Sequence, residues 1–186
     1  LNALCKVASI SLFKTRKMIA NGIFMSHLIY LIQLWGGCSK YLIDVLQILQ
    51  NRAARLVTKL SWYTPSSVLL NQCNWLSVKQ LIVFYDLVLV FKIRNDKKPV
   101  PLYEKLSSEF SYSIRYSENN KIKQTKTLKS EIAKSSFVNR ASSEWNSLPA
   151  DIRNATEIGH FRMKLKEWVK SNIDTFLFYN ILNTTI

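Results

Sequence analysis

Glycine and proline are scarce, four of each in 186 residues, which excludes a collagen-like repeat and the turn-dense pattern of a β-sandwich, and argues against a Gly-rich loop that cradles phosphates. The three cysteines, Cys5, Cys38 and Cys73, form no C-x-x-C pair and are odd in number. No disulfide framework or zinc ribbon follows, and a reducing compartment is the expected setting. The five aspartates, Asp44, Asp86, Asp96, Asp151 and Asp174, all stand singly, so no adjacent pair is present to hold the two magnesium ions of a polymerase or nuclease centre. His27 and His160 lie outside any H-E-x-x-H pattern and read as structural or surface residues, so no metal is expected. G-x-S-x-G, P-loop and G-x-G-x-x-G motifs are lacking too, which leaves nucleotide hydrolysis and hydride transfer without support. The apolar run over 18–35 is broken by Asn21, Gly22, Ser26, His27 and Gln33, and that over 81–91 is well short of the roughly 20 residues of a spanning helix. A membrane span is not expected. No secretory signal pattern opens the chain, and the first residue, Leu1 rather than Met, makes a piece of a longer reading frame the expectation.

What is present is apolar material, 48% of the residues, in a length that makes one domain or two small helical lobes. Its period is helical. Over 39–60 the residues Leu42, Val45, Leu46, Leu49, Ala53, Leu56, Val57 and Leu60 recur at helical steps behind a candidate N-cap, Ser39, predicting an amphipathic helix with those residues on its buried stripe. Residues 13–35 predict another helix or a broken pair, ended by Gly36 and Gly37. Thr64 and Pro65 open a short helix. Ser77 caps a helix reaching about Ile93, apolar on every side except at Asp86, which predicts the most buried helix of the chain. Pro99 and Pro101 predict an extended connection and the best boundary. Residues 136–145 predict a short helix, and Thr156 opens a longer one with Ile158, Phe161, Leu165, Trp168 and Val169 on one face.

Basic residues exceed acidic ones by 26 to 12, a formal charge of +14. The whole excess lies before residue 141; from there on, five basic side chains meet five acidic ones. Such a surface either faces a polyanion, releasing its condensed counterions, or is charge for solubility. Arg52, Arg55 and Lys59 sit three and four apart on the 39–60 helix, within about 60° of one another at helical geometry. They form a basic ridge beside the apolar stripe, either gripping phosphates or covering the core edge with their stems. Lys14, Arg16 and Lys17 open the preceding helix. Arg115, Lys121, Lys123 and Lys126 lie in a weakly patterned segment, 107–136, either a mobile loop or one that orders on a partner. Trp62 and Tyr63 follow the basic helix and are either lid residues or platforms for an exposed base. Trp145, before a turn ending at Pro149, reads as an anchor of the C-terminal lobe.

Four segments in order, LIYLIQLWGG, LQILQNRAARLVTKL, WLSVKQLIVFYDLVLVFKI and FVNRASSEWNSLPADIRNATEIGHFRMKLKEWV, together resemble the C-terminal part of reverse transcriptases of non-LTR (LINE-type, jockey-like) retrotransposons. The likeness runs over about 12–169. Trp145, Asn146, Leu148, Pro149, Ile152, Phe161 and Leu165 match the family's Trp-Asn-x-Leu-Pro, Ile and Phe-x-x-x-Leu positions, and Gln50 to Arg55 match a shared element. The resemblance implies the end of the palm-to-thumb connection, a helical thumb and a C-terminal extension, with the catalytic aspartates upstream of the matched region.

The expected fold is therefore all-α, an irregular helical bundle followed by a smaller helical lobe. The expected parts are a thumb-like bundle with the end of the palm connection (1–98), a basic linker (99–135), a C-terminal lobe (136–175) and an unassigned tail (176–186). The function implied is a non-catalytic grip on a template/primer duplex, through Arg52, Arg55 and Lys59 first, then Lys14, Arg16 and Lys17, with Lys121, Lys123 and Lys126 as a second clamp and Arg115 in the same stretch. The implied partners are RNA template, RNA–DNA hybrid or target DNA, and the palm and fingers of the same polypeptide. No cofactor is expected in this part, magnesium belonging to the palm, and the family's setting is nuclear. A helical protein-interaction module and a transposon relic without function remain the alternatives.

Overall fold

The computed structural model describes residues 12–106, 120–122 and 130–182. Among them the secondary structure is all α-helical, with no strand. The chain divides into two compact units, Leu1–Leu81 and Ile82–Ile186. The division falls inside a helix, whereas the prolines had placed a boundary after residue 98.

In the first unit, helix α1 (Phe13–Ala20) runs into a π-helical turn (Asn21–Met25), then α2 (Ser26–Ile29) and α3 (Ile32–Trp35). The expected broken pair is thus broken twice, the second time at Leu31, whose φ of 49° is left-handed backbone that interrupts the helix. The Asn21 side chain accepts a hydrogen bond from Trp75 Nε1 at 2.9 Å, tying the widened turn to the far end of the unit. Helix α4 (Lys40–Thr58) packs on α1 and on α5 (Ser66–Cys73). Ser39 occupies the cap position of α4 without a side-chain cap bond.

The buried face of α4 is not the expected stripe. Gln50, Ala53, Ala54, Val57 and Thr58 are buried, whereas Leu42, Val45 and Leu60 are exposed. Two alanines let neighbouring backbones approach closely, and two glutamines supply what an apolar stripe cannot. Gln50 Nε2 donates to the Leu76 carbonyl at 2.8 Å, and Gln47 Oε1 accepts from the Val78 amide at 2.8 Å. Together they satisfy backbone groups at the entry to α6 (Val78–Asp96), where a helix start leaves amides without partners. Ser77 completes that entry in a capping box. Its amide donates to Gln80 Oε1 at 2.9 Å and its hydroxyl accepts from the Gln80 amide at 3.3 Å.

Helix α6 begins in the first unit and continues into the second. It buries Val78, Leu81, Ile82, Leu87, Val88, Val90, Phe91 and Ile93, and Asp86 is fully buried with them. The prolines after it do not extend the chain as expected. Pro99 offers its carbonyl to the amides of Leu102 and Tyr103, so α7 (Val100–Leu106) starts at once, with Pro101 in a first turn that needs no amide there.

The second unit adds α8 (Glu131–Ser135), α9 (Phe137–Ser147), α10 (Ala150–Arg153) and α11 (Ile158–Leu182). Helix α11 carries on through part of the tail that had no assignment. Phe91 and Phe161 stack at 4.4 Å between centroids, with Trp145 tilted against Phe161 at 5.9 Å. Trp145 is 1% exposed and is the anchor expected of it. Its Nε1 donates to the Asn120 carbonyl at 2.8 Å. Next to it, Asn146 Oδ1 accepts from the Ile122 amide at 2.8 Å, and Asn146 Nδ2 donates to the Ile122 carbonyl at 2.7 Å. One side chain thus stands in for a neighbouring strand, and Ile122 is fully buried.

Replacing Asn146 by Ala removes both bonds and leaves a sheltered amide and carbonyl unpaired, a loss of about 2 kcal/mol. Chemical denaturation of Asn146→Ala should show that drop, and Ser147→Ala, at an exposed neighbour, should unfold close to wild type. Equal midpoints for Asn146→Ala and wild type would contradict the clamp.

Candidate nucleic-acid interface

The C-terminal end of α4 concentrates cations and aromatics. A helix ends with unpaired carbonyls and a partial negative charge, which favours Lys and Arg nearby. Arg16, from α1, answers that demand directly, its Nε donating to the Val57 carbonyl at 2.8 Å while the residue is 7% exposed. Expected as a phosphate contact, Arg16 is instead a buried tie between two helices. Lys59 is also displaced from its expected place. It lies beyond the last helical residue, with a φ of 57° and its amide bonded to the Arg55 carbonyl, so the ridge of three is not continuous along the helix.

Arg52 and Lys59 are exposed. Arg55 is half-buried, its guanidinium carbon 4.8 Å from the centroid of the Trp62 ring and its Nη2 donating to the Thr64 carbonyl at 3.4 Å. The Thr64 amide returns to the Ser61 carbonyl at 3.0 Å, closing a β-turn with Trp62 and Tyr63 at its two central positions. Their side chains are 68% and 93% exposed. Arg55 therefore braces a turn that presents two rings to solvent. Of the remaining candidates, Lys14 is exposed and Lys17 half-buried on α1, and Lys121 is half-buried in the second unit. Arg115, Lys123 and Lys126 lie outside the described residues.

The second unit holds a buried charge cluster that composition concealed. Arg140 Nε bonds Asp86 Oδ2 at 2.7 Å, and Arg140 Nη1 donates to the Ser135 carbonyl at 2.7 Å, which fastens α8 to α9. Asp86 Oδ1 has no partner. Burial pushes the Asp86 carboxyl up to about 6, against the bond and the charge of Arg140. Glu144 is half-buried as a residue but its Oε2 is sealed off and unpaired. Its carboxyl is held well above the usual range by burial and then by the Asp86 charge, with Arg140 opposing. Two carboxyls compete for one guanidinium.

Elsewhere, burial pushes the Cys73 thiol up to about 11, with nearby Lys17 opposing, so it is an unreactive thiol at neutral pH. Among the described residues, no group of His, Cys, Asp and Glu is arranged to hold a metal. Among them also, no helix is long and apolar enough to cross a membrane. No family model matches the sequence, and no curated protein or solved structure matches it.

The carboxyl pair makes a pH prediction. Both groups hold protons more tightly folded than unfolded, so stability is lost as pH rises from the ordinary carboxylate range through the raised folded values, about 6 for Asp86. Glu144→Gln replaces one of the two titrating groups by a neutral amide. Its thermal midpoint should match wild type near pH 4 and rise above it as pH increases beyond the ordinary carboxylate range; a difference independent of pH would show that the fold does not hold the Glu144 proton.

Proposed function

We propose that this chain binds nucleic acid and performs no chemistry of its own, as the thumb and C-terminal extension of a non-LTR retrotransposon reverse transcriptase whose catalytic aspartates and magnesium belong to the palm. The observation that carries the reading is the turn after α4. It offers exposed rings at Trp62 and Tyr63, and the same helix end carries the exposed cations Arg52 and Lys59. Duplexes and single strands are held without sequence preference by this combination, cations on phosphates and aromatic faces on bases. The A-form geometry of an RNA–DNA hybrid favours such contacts, since its deep groove admits no side chain. The formal charge of +14 adds long-range attraction for the polymer. Lys14 and Lys17 are the next contacts in this reading, and Arg16 is left out of it. The nuclear setting follows from the same family resemblance.

A second reading, docking on another protein body, is favoured by a different face. Tyr41, Val45 and Ile48 of α4 are all exposed and lie within about 60° of one another on the helix. In the retrotransposon reading the partner for this face is the palm and fingers of the same polypeptide. The segment over 81–91, which a docking module would have exposed, instead buries Leu81, Ile82, Leu87, Val88, Val90 and Phe91.

Salt separates the two. Affinity for a labelled RNA–DNA hybrid made through about six phosphates should fall on the order of 1,000-fold between 50 and 200 mM salt, and an apolar docking surface should hardly respond. Changing Arg52, Arg55 and Lys59 together to Ala should weaken hybrid binding at least tenfold at low salt and flatten the salt slope. Unchanged affinity in the triple variant would remove the α4 end from the interface.

A further inference from the structure

Helix α4 turns one face to its own unit and another to solvent. Gln50, Ala53, Ala54 and Val57 are buried. Roughly opposite them, at about 100° per residue, lie Tyr41, Val45, Ile48 and Arg52. The first three are 74%, 37% and 52% exposed, and Arg52 is exposed as well. Single apolar residues at a surface need no explanation. These are not scattered, because they follow one another at steps of four, three and four. That is the repeat of a coiled-coil seam, with Tyr41 and Ile48 at d positions and Val45 and Arg52 at a positions. Packing on α1 and α5 requires no such seam on the side away from them.

The seam is complementary to itself when a second copy runs in the opposite direction. A two-fold axis between residues 46 and 47 sets Val45 opposite Ile48 of the second copy and Tyr41 opposite its Arg52. An arginine over a tyrosine ring is a favourable cation–π pair, and the symmetry makes it twice. The flanks agree with the same register. On one side Leu42, 49% exposed, meets Leu49 of the second copy, and on the other Asp44 meets its Asn51. No like charges face one another in this arrangement. In a parallel pair each residue meets its own equivalent, so two Arg52 guanidiniums would oppose across the seam. Antiparallel helices also lay the positive end of one dipole beside the negative end of the other.

We propose that the outer face of α4 pairs with the same face of a second copy of this chain, as an antiparallel, two-fold symmetric helix pair over residues 41–52. Isolated helices this short hardly form in water, but α4 is already held on α1 and α5, so pairing bears no cost of helix formation. The contact spans about 17 Å of helix, too little to bury the roughly 800 Å² per partner of a standard stable interface. The dimer is therefore weak and concentration-dependent. It stops at two copies, because the axis uses the seam of both. The inference rests on the docking reading of this face and commits it to a second copy of the chain in place of a different body. Arg52 belongs to this seam and to the grip alike, so a paired chain offers a polyanion one cation fewer.

The test is sedimentation equilibrium of the full chain, free of nucleic acid, at concentrations up to about 0.5 mM, where a weak contact is populated. A reversible monomer–dimer equilibrium with no larger species is expected. Val45→Glu and Ile48→Lys, both at exposed positions, place a charge in the seam and should each weaken the dimer at least tenfold while keeping thermal midpoints near wild type. Mixed in equal amounts, the two variants should regain the wild-type association constant within about threefold, since antiparallel pairing sets position 45 of one against position 48 of the other. Association should persist at 300 mM salt, because screening reduces the repulsion between two chains of charge +14. A chain that stays monomeric throughout leaves the face to a different body. Association that vanishes with salt is bridging by a polyanion, and association untouched by the single variants, or not restored by mixing them, lies on another surface or in another register. Each of these outcomes overturns the proposal, and none bears on hybrid binding, so the grip stands or falls separately.

Discussion

Among the described residues Ile122 lies in no helix or strand, yet its side chain is fully buried. Burying a residue requires that its amide and carbonyl be satisfied, and in the second unit that requirement is met by side chains of α9. Asn146 takes both groups of Ile122, and Trp145 takes the carbonyl of Asn120. Much else follows from this clamp. With 120–122 fixed, Asn120 can orient Arg94 and support the Arg153 backbone, and the Trp145 ring lies against both Phe161 and the Arg94 guanidinium. The Trp-Asn pair that carries the family resemblance is thereby explained by architecture, with no catalytic role required of it.

Charge is used in opposite ways in the two units. In the first, Arg52 and Lys59 remain exposed, and Arg55 trades part of its hydration for the face of Trp62. Exposed cations contribute little to folding, which leaves them available for a polyanion. In the second, Asp86, Arg140 and Glu144 are drawn into a shielded cluster in which carboxyl desolvation outweighs the attraction of one guanidinium. A buried ion pair of this kind is weak support for stability. What it provides is position, because Arg140 also holds the Ser135 carbonyl and so sets the turn between α8 and α9.

Much of the helical framework was legible in the sequence, and the reasons are local. The Ser77 cap, the helix stop at Gly36 and the short helix after Pro65 depend on residues within a few positions of one another. The all-α class follows from periodicity in the same way. Arg52 stands exposed on α4 and Trp62 and Tyr63 are exposed on the turn that follows it, whereas Lys59 falls past the helix end. The failures share a cause as well. The apolar stripe of α4 was read as buried along its length, yet Leu42 and Val45 face solvent while Gln50 is sealed in, because the neighbours of α4 are set by chain entry at Leu76 and Val78. The proline pair after α6 was read as a breaker, although proline at the start of a helix forfeits nothing.

What the sequence by itself determined is the set of helices, their capping and a large excess of positive charge, all properties of residues close together along the chain. Which cations are free was decided only by tertiary structure. Arg16 and Arg52 are indistinguishable in composition, but one meets a bare helix carbonyl from a segment 41 residues away and the other meets water. Hydrogen bonds and burial act through space, so the partner that makes an arginine structural comes from a part of the chain that local pattern does not reach.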